Sequence, residues 1–331
     1  MAEITANELT REIVRPKHQN FLIELFVRLV KTKPLGFLGF IIITILFLTG
    51  IFADLAWIGR PDISIAPYGW NEIMLQYRLN PPGPNLILGA DNVGRDLFSR
   101  IIFGARISMM VALGAQAINL VVKLLLAVPS GYFGGKYDLV LQRFIDAWIC
   151  IPGLALIMTV MAVLGPGMWQ VIVVLGVSGG IGATRVIRSA VIRIKEEQYF
   201  EAARAIGVPT STILVRHVLP NILSIIIINL AAGMGGVITA EASLSFLGLG
   251  IPPPYPSWGG MLSGAGRQFM MVAPWMMLWP GLALSSVVFG FNMLADALRD
   301  LLDPRLRGGL GRYGGMSQEQ LQKLAAKKGA T

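Results

Sequence analysis

Four ionisable residues, Lys123, Asp146, Glu241 and Asp296, stand within or at the ends of long apolar runs. Charge at membrane depth is costly, and a proton-coupled carrier would use such groups as a relay. Their placement argues for structural pairing instead. Arg143 and Asp146 are three apart, so they meet across one helical turn. Asp296 falls near one end of its run and Glu241 near an end of another, where water or partner helices can satisfy them. No catalytic set stands out: His18 and His217 are far apart, and neither a Ser-His-Asp group nor a carboxylate pair is present. Gly134-Gly135-Lys136-Tyr137 comes nearest to a phosphate-binding loop, but Ser130 occupies the position of its first glycine and Tyr137 that of its Ser/Thr. The stretch Gly89–Asp96 lacks both the Lys-Ser/Thr ending of that loop and the ligand spacing of a calcium hand. It reads as a structural brace at one mouth of the molecule, with Asp91 capping a short helix. The chain is therefore expected to be no enzyme and to hold no cofactor or metal. Any energy it uses comes from a separate subunit or an ion gradient.

The elements that carry these residues are set by composition. The 331 residues are 54% hydrophobic and 14% charged, with a mean hydropathy of +0.63. A soluble domain cannot hide that much apolar surface, and runs of about 20 apolar residues are long enough to span a bilayer as helices. Six crossings are predicted, near 35–56, 107–131, 139–163, 169–187, 219–246 and 276–298. The first begins too far in, and is too long, for a cleaved signal sequence. Gly176, Ser178, Gly179, Gly180 and Gly182 in the fourth, and Gly233, Gly235 and Gly236 in the fifth, would let helices approach closely. These small-residue faces are the candidate pathway. Cys150, the single cysteine, permits no internal disulfide and is expected to pack inside a span. Tyr255, Trp258 and Trp275 are expected to anchor the membrane interface.

Charge sets the orientation. With the N-terminus inside, segments 1–34, 132–138, 188–218 and 299–331 carry 6, 1, 5 and 7 Lys or Arg, whereas 57–106, 164–168 and 247–275 carry 5, 0 and 1. The bias predicts N-in and C-in. The formal net charge of +9 is shared among the inner loops and tails, where anionic lipid accounts for it, so nucleic acid is not an expected partner. Residues 1–34 form an N-terminal segment in which Phe21, Leu22, Leu25, Phe26 and Leu29 recur at helical spacing, as in an amphipathic helix lying on the membrane. The first span and a large outer loop occupy 35–106, and the transmembrane core 107–298. The tail 299–331 is basic, with Pro304 as a helix stop.

The remaining polar island is Glu201-Ala-Ala-Arg-Ala-Ile-Gly207, with a Leu219-Pro220 pair further on. Gly207 and Pro209 would break a helix continuing out of the fourth span, and Thr210 would cap the next, in which Ile213, Leu214, His217 and Val218 share a face. Ala202, Ala203 and Ala205 keep the surface slim enough to enter a groove on another protein, while Glu201 could anchor it. The plainer alternative is a solvated basic loop.

The island resembles the cytoplasmic loop by which permease subunits of ATP-binding-cassette importers grip their ATPases. Leu88-Gly-Ala-Asp-Asn-Val-Gly-Arg-Asp-Leu-Phe-Ser-Arg100, Glu241-Ala-Ser-Leu-Ser-Phe-Leu-Gly-Leu-Gly250 with Pro256-Ser-Trp-Gly-Gly260, and Asn292-Met-Leu-Ala-Asp-Ala-Leu-Arg-Asp300 are similar, in the same order, to segments of the dipeptide, oligopeptide and nickel permeases. The pattern is closer to the second, "C"-type permease of the pair. Ala90 stands where that family usually has Thr, and residues 60–85 match nothing in it. The resemblance implies an all-α polytopic membrane protein of about six spans with a cytoplasmic coupling helix near 198–218, between spans four and five. It implies a bacterial or archaeal cytoplasmic (inner) membrane, and three kinds of partner besides membrane lipid and substrate: a homologous permease, two ATPase subunits that use the ATP, and an extracytoplasmic solute-binding protein. The implied docking residues are Glu201, Ala202, Ala203, Arg204, Gly207 and Arg216. The implied substrate is a di- or oligopeptide, with nickel or oligosaccharide as alternatives. A stand-alone ion-coupled carrier is the alternative from another class, weakened by the lack of a visible inverted repeat.

Overall fold

The computed structural model describes residues 21–54 and 64–302. Residues 1–20 and the tail from 303, including Pro304, lie outside the described residues, as do 55–63 of the long loop. Every named element is helical, as lipid burial of so apolar a chain requires. In chain order they are α1 (Phe21–Thr32), α2 (Pro34–Phe52), α3 (Leu97–Phe133), α4 (Gly135–Cys150), α5 (Gly153–Leu164), α6 (Met168–Lys195), α7 (Gln198–Ala205), α8 (Thr210–Ile213), α9 (Leu219–Phe246), α10 (Trp258–Leu262), α11 (Gly264–Phe269) and α12 (Trp275–Leu302).

Five of these, α2, α3, α6, α8 running into α9, and α12, are long and apolar enough to cross a membrane. The expected third span is not one straight helix. It is the pair α4 and α5, bent by 88° at Ile151-Pro152. A residue before proline is pushed out of the helical region, and Ile151 is extended (φ −79°, ψ 129°). The second span is longer than expected, because α3 begins at Leu97 rather than near 107. Its cap is Asp96 and not Asp91. One carboxylate oxygen of Asp96 accepts from the Ser99 N–H at 2.8 Å and the Ser99 hydroxyl at 2.7 Å. Asp91 instead closes its own loop, accepting from the backbone N–H groups of Val93 and Arg95 at 3.0 and 2.9 Å and from the Arg95 side chain at 2.7 Å.

The helices meet where small residues let them. α3 and α6 form the most extensive pair. Seated along their seam, Gly176 would place a Cβ 2.6 Å from the Cβ of Ile118, and Gly180 one 2.7 Å from that of Val122. α2 crosses α12 through Gly39 and Gly290 in the same way. The three largest apolar clusters among the described residues lie between the helices. One joins α3, α5, α6 and α9 through Val111, Met161, Val171 and Leu244. A second joins α3, α6, α7 and α9 through Ala127, Ile187, Phe200 and Ile222. The third joins α2, α3, α9, α10 and α12 through Leu46, Ala105, Ile238, Trp258 and Phe291. Apolar side chains are also exposed along the long helices, among them Leu48, Val121, Leu125, Leu223 and Phe289, the pattern of surfaces that meet lipid or another membrane helix. Cys150, expected inside a span, is exposed at the end of α4.

Candidate functional site

At the end of the bundle where α6 stops, Glu196 and Glu197 make a turn and α7 begins. α7 has two different faces. Phe200 (1% exposed) and Ala203 (7%) point into the bundle, whereas Glu201, Ala202 and Arg204 are exposed. Gly207 explains how the helix stops. Its N–H donates to the Arg204 carbonyl at 3.0 Å, and the Val208 N–H reaches back to the Ala203 carbonyl at 3.1 Å. This is a Schellman closure, which needs a left-handed residue at the turn, and Gly207 has φ +76°. Space is not the reason for glycine there, since nothing lies within 4 Å of where its Cβ would stand.

The next helix is not a separate one. Pro209 occupies the cap and Thr210 is already in the first turn of α8, which corrects the expectation that Thr210 caps it. A π turn, Leu214–Val218, then leads directly into α9, with the Leu219 N–H donating to the Leu214 carbonyl. Pro220 follows with no N–H to give, and a widened turn is one way to accommodate it. Ile213 and Val218, at either end of this turn, are buried in one apolar cluster with Ile222, Ile226, Phe200 and Ala203. Arg216 is exposed on this turn.

Three residues not singled out by sequence tie this end of the bundle together: Tyr132 meets α7, and Arg188 and Asp138 join α6 to α4. The Tyr132 ring meets Phe200 edge-on at 6.0 Å, its hydroxyl lies 3.3 Å from the Thr210 hydroxyl, and its carbonyl accepts from Lys195 Nζ at 2.8 Å. Arg188 of α6 makes a two-pronged ion pair with Asp138 of α4, its Nε donating at 2.6 Å and its Nη2 to the other oxygen. The Ser130 hydroxyl donates to the same carboxylate at 2.5 Å. A groove of about 360 Å³ runs beneath α7, lined by Asp138, Lys195, Phe200, Glu201 and Arg204. A polar residue just past a Gly-Gly corner, like Asp138, was the available signal.

The opposite end is braced by polar groups buried in the chain. Arg100 donates to the Trp70 carbonyl at 3.0 Å, and Trp70 stacks on Tyr255 with ring centres 5.3 Å apart. Trp258 and Trp275 are internal struts more than interface anchors: their indole N–H groups donate to the carbonyls of Ile101 (3.1 Å) and Ala90 (3.2 Å). Glu241, expected to be satisfied by water or a neighbouring helix, is 1% exposed. One of its oxygens accepts from the Ser245 hydroxyl at 2.7 Å and the other has no partner among the described residues. Asp146 pairs with Arg143 at 3.3 Å as expected and also with Arg185 of α6. Asp296 is exposed.

Midway along the bundle the small residues divide. Gly176 and Gly180 are spent on the α3 seam. Ser178, Gly179, Gly233 and Gly236 instead line a cavity of about 430 Å³ between α3, α6 and α9.

Residues 123–308 match the family described as the binding-protein-dependent transport system inner membrane component. Among similar proteins, the dipeptide transport system permease protein of Alkalihalophilus pseudofirmus is 37% identical over 284 residues, covering 86% of this chain and 90% of that one. A glutathione transport system permease protein of Escherichia coli is 36% identical over 285 residues, with 86% and 90% covered. The oligopeptide transport system permease protein of Bacillus subtilis is 32% identical over 277 residues, with 84% and 88% covered. With long apolar helices for a multi-pass membrane protein, and alignments spanning most of both chains, this protein belongs to the binding-protein-dependent transport permeases.

Proposed function

We propose that the chain is one of two homologous permease subunits in an ATP-driven importer of di- or oligopeptides, the "C"-type member of the pair. It lies N-in and C-in in the cytoplasmic membrane of a bacterium or archaeon, with α7 as the coupling helix. The single observation that carries the reading is the two-faced α7. Its outer face, with Glu201, Ala202 and Arg204, is free to seat in a groove on an ATPase, while Phe200 and Ala203 pin its inner face to the bundle. On this reading Glu201 and Arg204 anchor the contact, Ala202 keeps it slim, and Ala203 fixes α7 to the chain. Gly207 makes the turn and Arg216 adds a secondary contact. The relatives named for dipeptide, oligopeptide and glutathione transport support a peptide substrate.

The mechanism is alternating access. ATP closes the pair of ATPases, the seated α7 moves with them, and its anchors pass the motion to α3, α6 and α9 through Tyr132, Phe200 and the Arg188–Asp138 pair. The permease pair opens outward to a solute-binding protein, and hydrolysis resets it. ATP can drive this only to the extent that it binds the two states with different free energy. The nucleotide is bound by the ATPases, since this sequence carries no complete P-loop motif.

Gentle solubilisation of native membranes, capture of a tagged chain and mass spectrometry test the assembly. A P-loop ATPase and a second, homologous permease are expected together. Recovery of this chain alone, where a reference membrane complex survives, overturns the importer and favours an ion-coupled carrier. Glu201→Lys is expected to leave insertion intact and ATP hydrolysis running while uptake is lost; unchanged uptake contradicts the docking role.

A further inference from the structure

Gln116, Asn119 and Lys123 fall on one stripe of α3, at helical spacings of three and four residues. All three are buried, at 3%, 7% and 1% exposure, and all three line the cavity between α3, α6 and α9. The glycines opposite make room for the two amides. The Asn119 amide nitrogen lies 2.6 Å from where a Cβ of Gly179 would stand, and the Gln116 amide packs over Gly233. Seated this way, each amide leaves its carbonyl oxygen buried with no hydrogen-bond partner. Among the described residues no carboxylate lies within ion-pairing reach of Lys123. The cavity thus presents an uncompensated cation beside two orphaned acceptors.

Buried polar groups are ordinarily satisfied, and unsatisfied ones on residues that line a cavity call for a ligand that completes them. The missing ligand must bring an anion for Lys123 and N–H donors for the two carbonyl oxygens. A peptide offers both, in its C-terminal carboxylate and in its amide and ammonium groups. A bare divalent cation would meet Lys123 as a like charge, and a neutral sugar would leave the ammonium without its counter-charge. About 430 Å³ is within the range of small-ligand sites.

We propose that Gln116, Asn119 and Lys123 form a transit station in the permeation path that receives the free C-terminal carboxylate of the transported peptide on Lys123 and its N–H groups on the two amides. The inference rests on the importer reading above and narrows its substrate to peptides with an unblocked C-terminus.

The test uses the complete importer with Cys150→Ser and Gly236→Cys in this chain. Gly236 lines the cavity with nothing within 4 Å of its Cβ position, so the new thiol reports on occupancy. Labelling by a methanethiosulfonate reagent is followed without the binding protein, so that only the permease discriminates. Saturating dialanine is expected to slow labelling by about ten-fold, whereas dialanine amide leaves it unchanged. Lys123→Met should abolish the protection and Lys123→Arg should retain it. Equal protection by both peptides, or by neither in a complex that imports dialanine, overturns the station and leaves the importer standing. Loss of the second permease from the Lys123→Met complex shows instead that a partner carboxylate holds this lysine, and also overturns it. If Lys123→Met does not assemble at all, the comparison of dialanine with its amide in the Lys123 protein decides alone. Absence of ATP-dependent uptake of dialanine and trialanine by the wild-type complex overturns the importer reading and the station together.

Discussion

The seam between α3 and α6 gives a prediction whose size follows from distances. An alanine at position 180 would set its Cβ 2.7 Å from Val122 Cβ and 3.0 Å from the Asn119 carbonyl oxygen. One at 176 would lie 2.6 Å from Ile118 Cβ and 2.8 Å from the Ala115 carbonyl oxygen. Carbon pairs rest at about 3.5–4.0 Å, so α6 must back away by roughly 1 Å along this face. The obstructing atoms are branch carbons and backbone, which cannot swing aside. Overpacking of this kind costs about 1–3 kcal/mol, and the upper half of that range applies here. Replacing glycine by alanine inside a helix returns about 1 kcal/mol. Gly176→Ala and Gly180→Ala should therefore each destabilise by about 1–2 kcal/mol net, and the double variant by more than either but less than their sum, because one displacement of α6 relieves both. Gly182 is the control, because nothing lies within 4 Å of its Cβ position. Gly182→Ala should be neutral or stabilising by up to about 1 kcal/mol. Thermal unfolding of the purified complex, followed by tryptophan fluorescence, should rank Gly182→Ala at or above wild type, then the two single seam variants, then the double. Equal midpoints for Gly180→Ala and Gly182→Ala would refute the register of α3 against α6.

Gly207→Ala meets no steric obstacle, yet it forces a Cβ onto a left-handed residue at a cost of about 1–2 kcal/mol. Amide hydrogen exchange over α7 should speed by about ten-fold; unchanged exchange would show that the Schellman closure does not hold the helix end. Asp138→Asn removes the charge that Arg188 and Ser130 share, at about 1–3 kcal/mol, and a cycle with Arg188→Gln should show coupling of at least about 1 kcal/mol in unfolding midpoints. Additive effects would mean that the pair is not a tie. Asp96→Ala should cost about 1 kcal/mol and accelerate exchange in the first turn of α3, leaving its later turns protected.

Hydropathy located the long helices well where a span is uniformly apolar. α9 ends at Phe246 as expected from sequence, where glycine-rich sequence follows, but at its start the helix runs back without a break through the π turn to Thr210 rather than beginning at Leu219. It failed where averaging hides a local rule. The run from 139 to 163 scores as one span, yet Pro152 obliges Ile151 to leave the helix and the run folds as two helices. α3 started ten residues early because Ser99, Arg100 and Arg106 dilute its hydropathy, while their polar groups are consumed by Asp96, the Trp70 carbonyl and Asp54. The Glu201–Gly207 island was legible as a motif. The ties around it were not, since Tyr132, Asp138 and Arg188 come from three separate helices and carry no common pattern. Lys123 was conspicuous as a charge in an apolar run. Gln116 and Asn119, which line the same cavity, were hidden by reading charge alone, although all three sit at helical spacing.

The central claim is that the outer face of α7 seats on an ATPase. It is tested most directly by placing a cysteine at the exposed Ala202 in a Cys150→Ser background and treating intact membranes with a short bifunctional thiol-reactive cross-linker. The account predicts a cross-linked product between this chain and a P-loop ATPase whose yield changes when ATP is trapped on the complex. A cysteine at buried Ala203 should give none. Products only with lipid or with the second permease, in membranes that retain ATP-driven uptake, would contradict it.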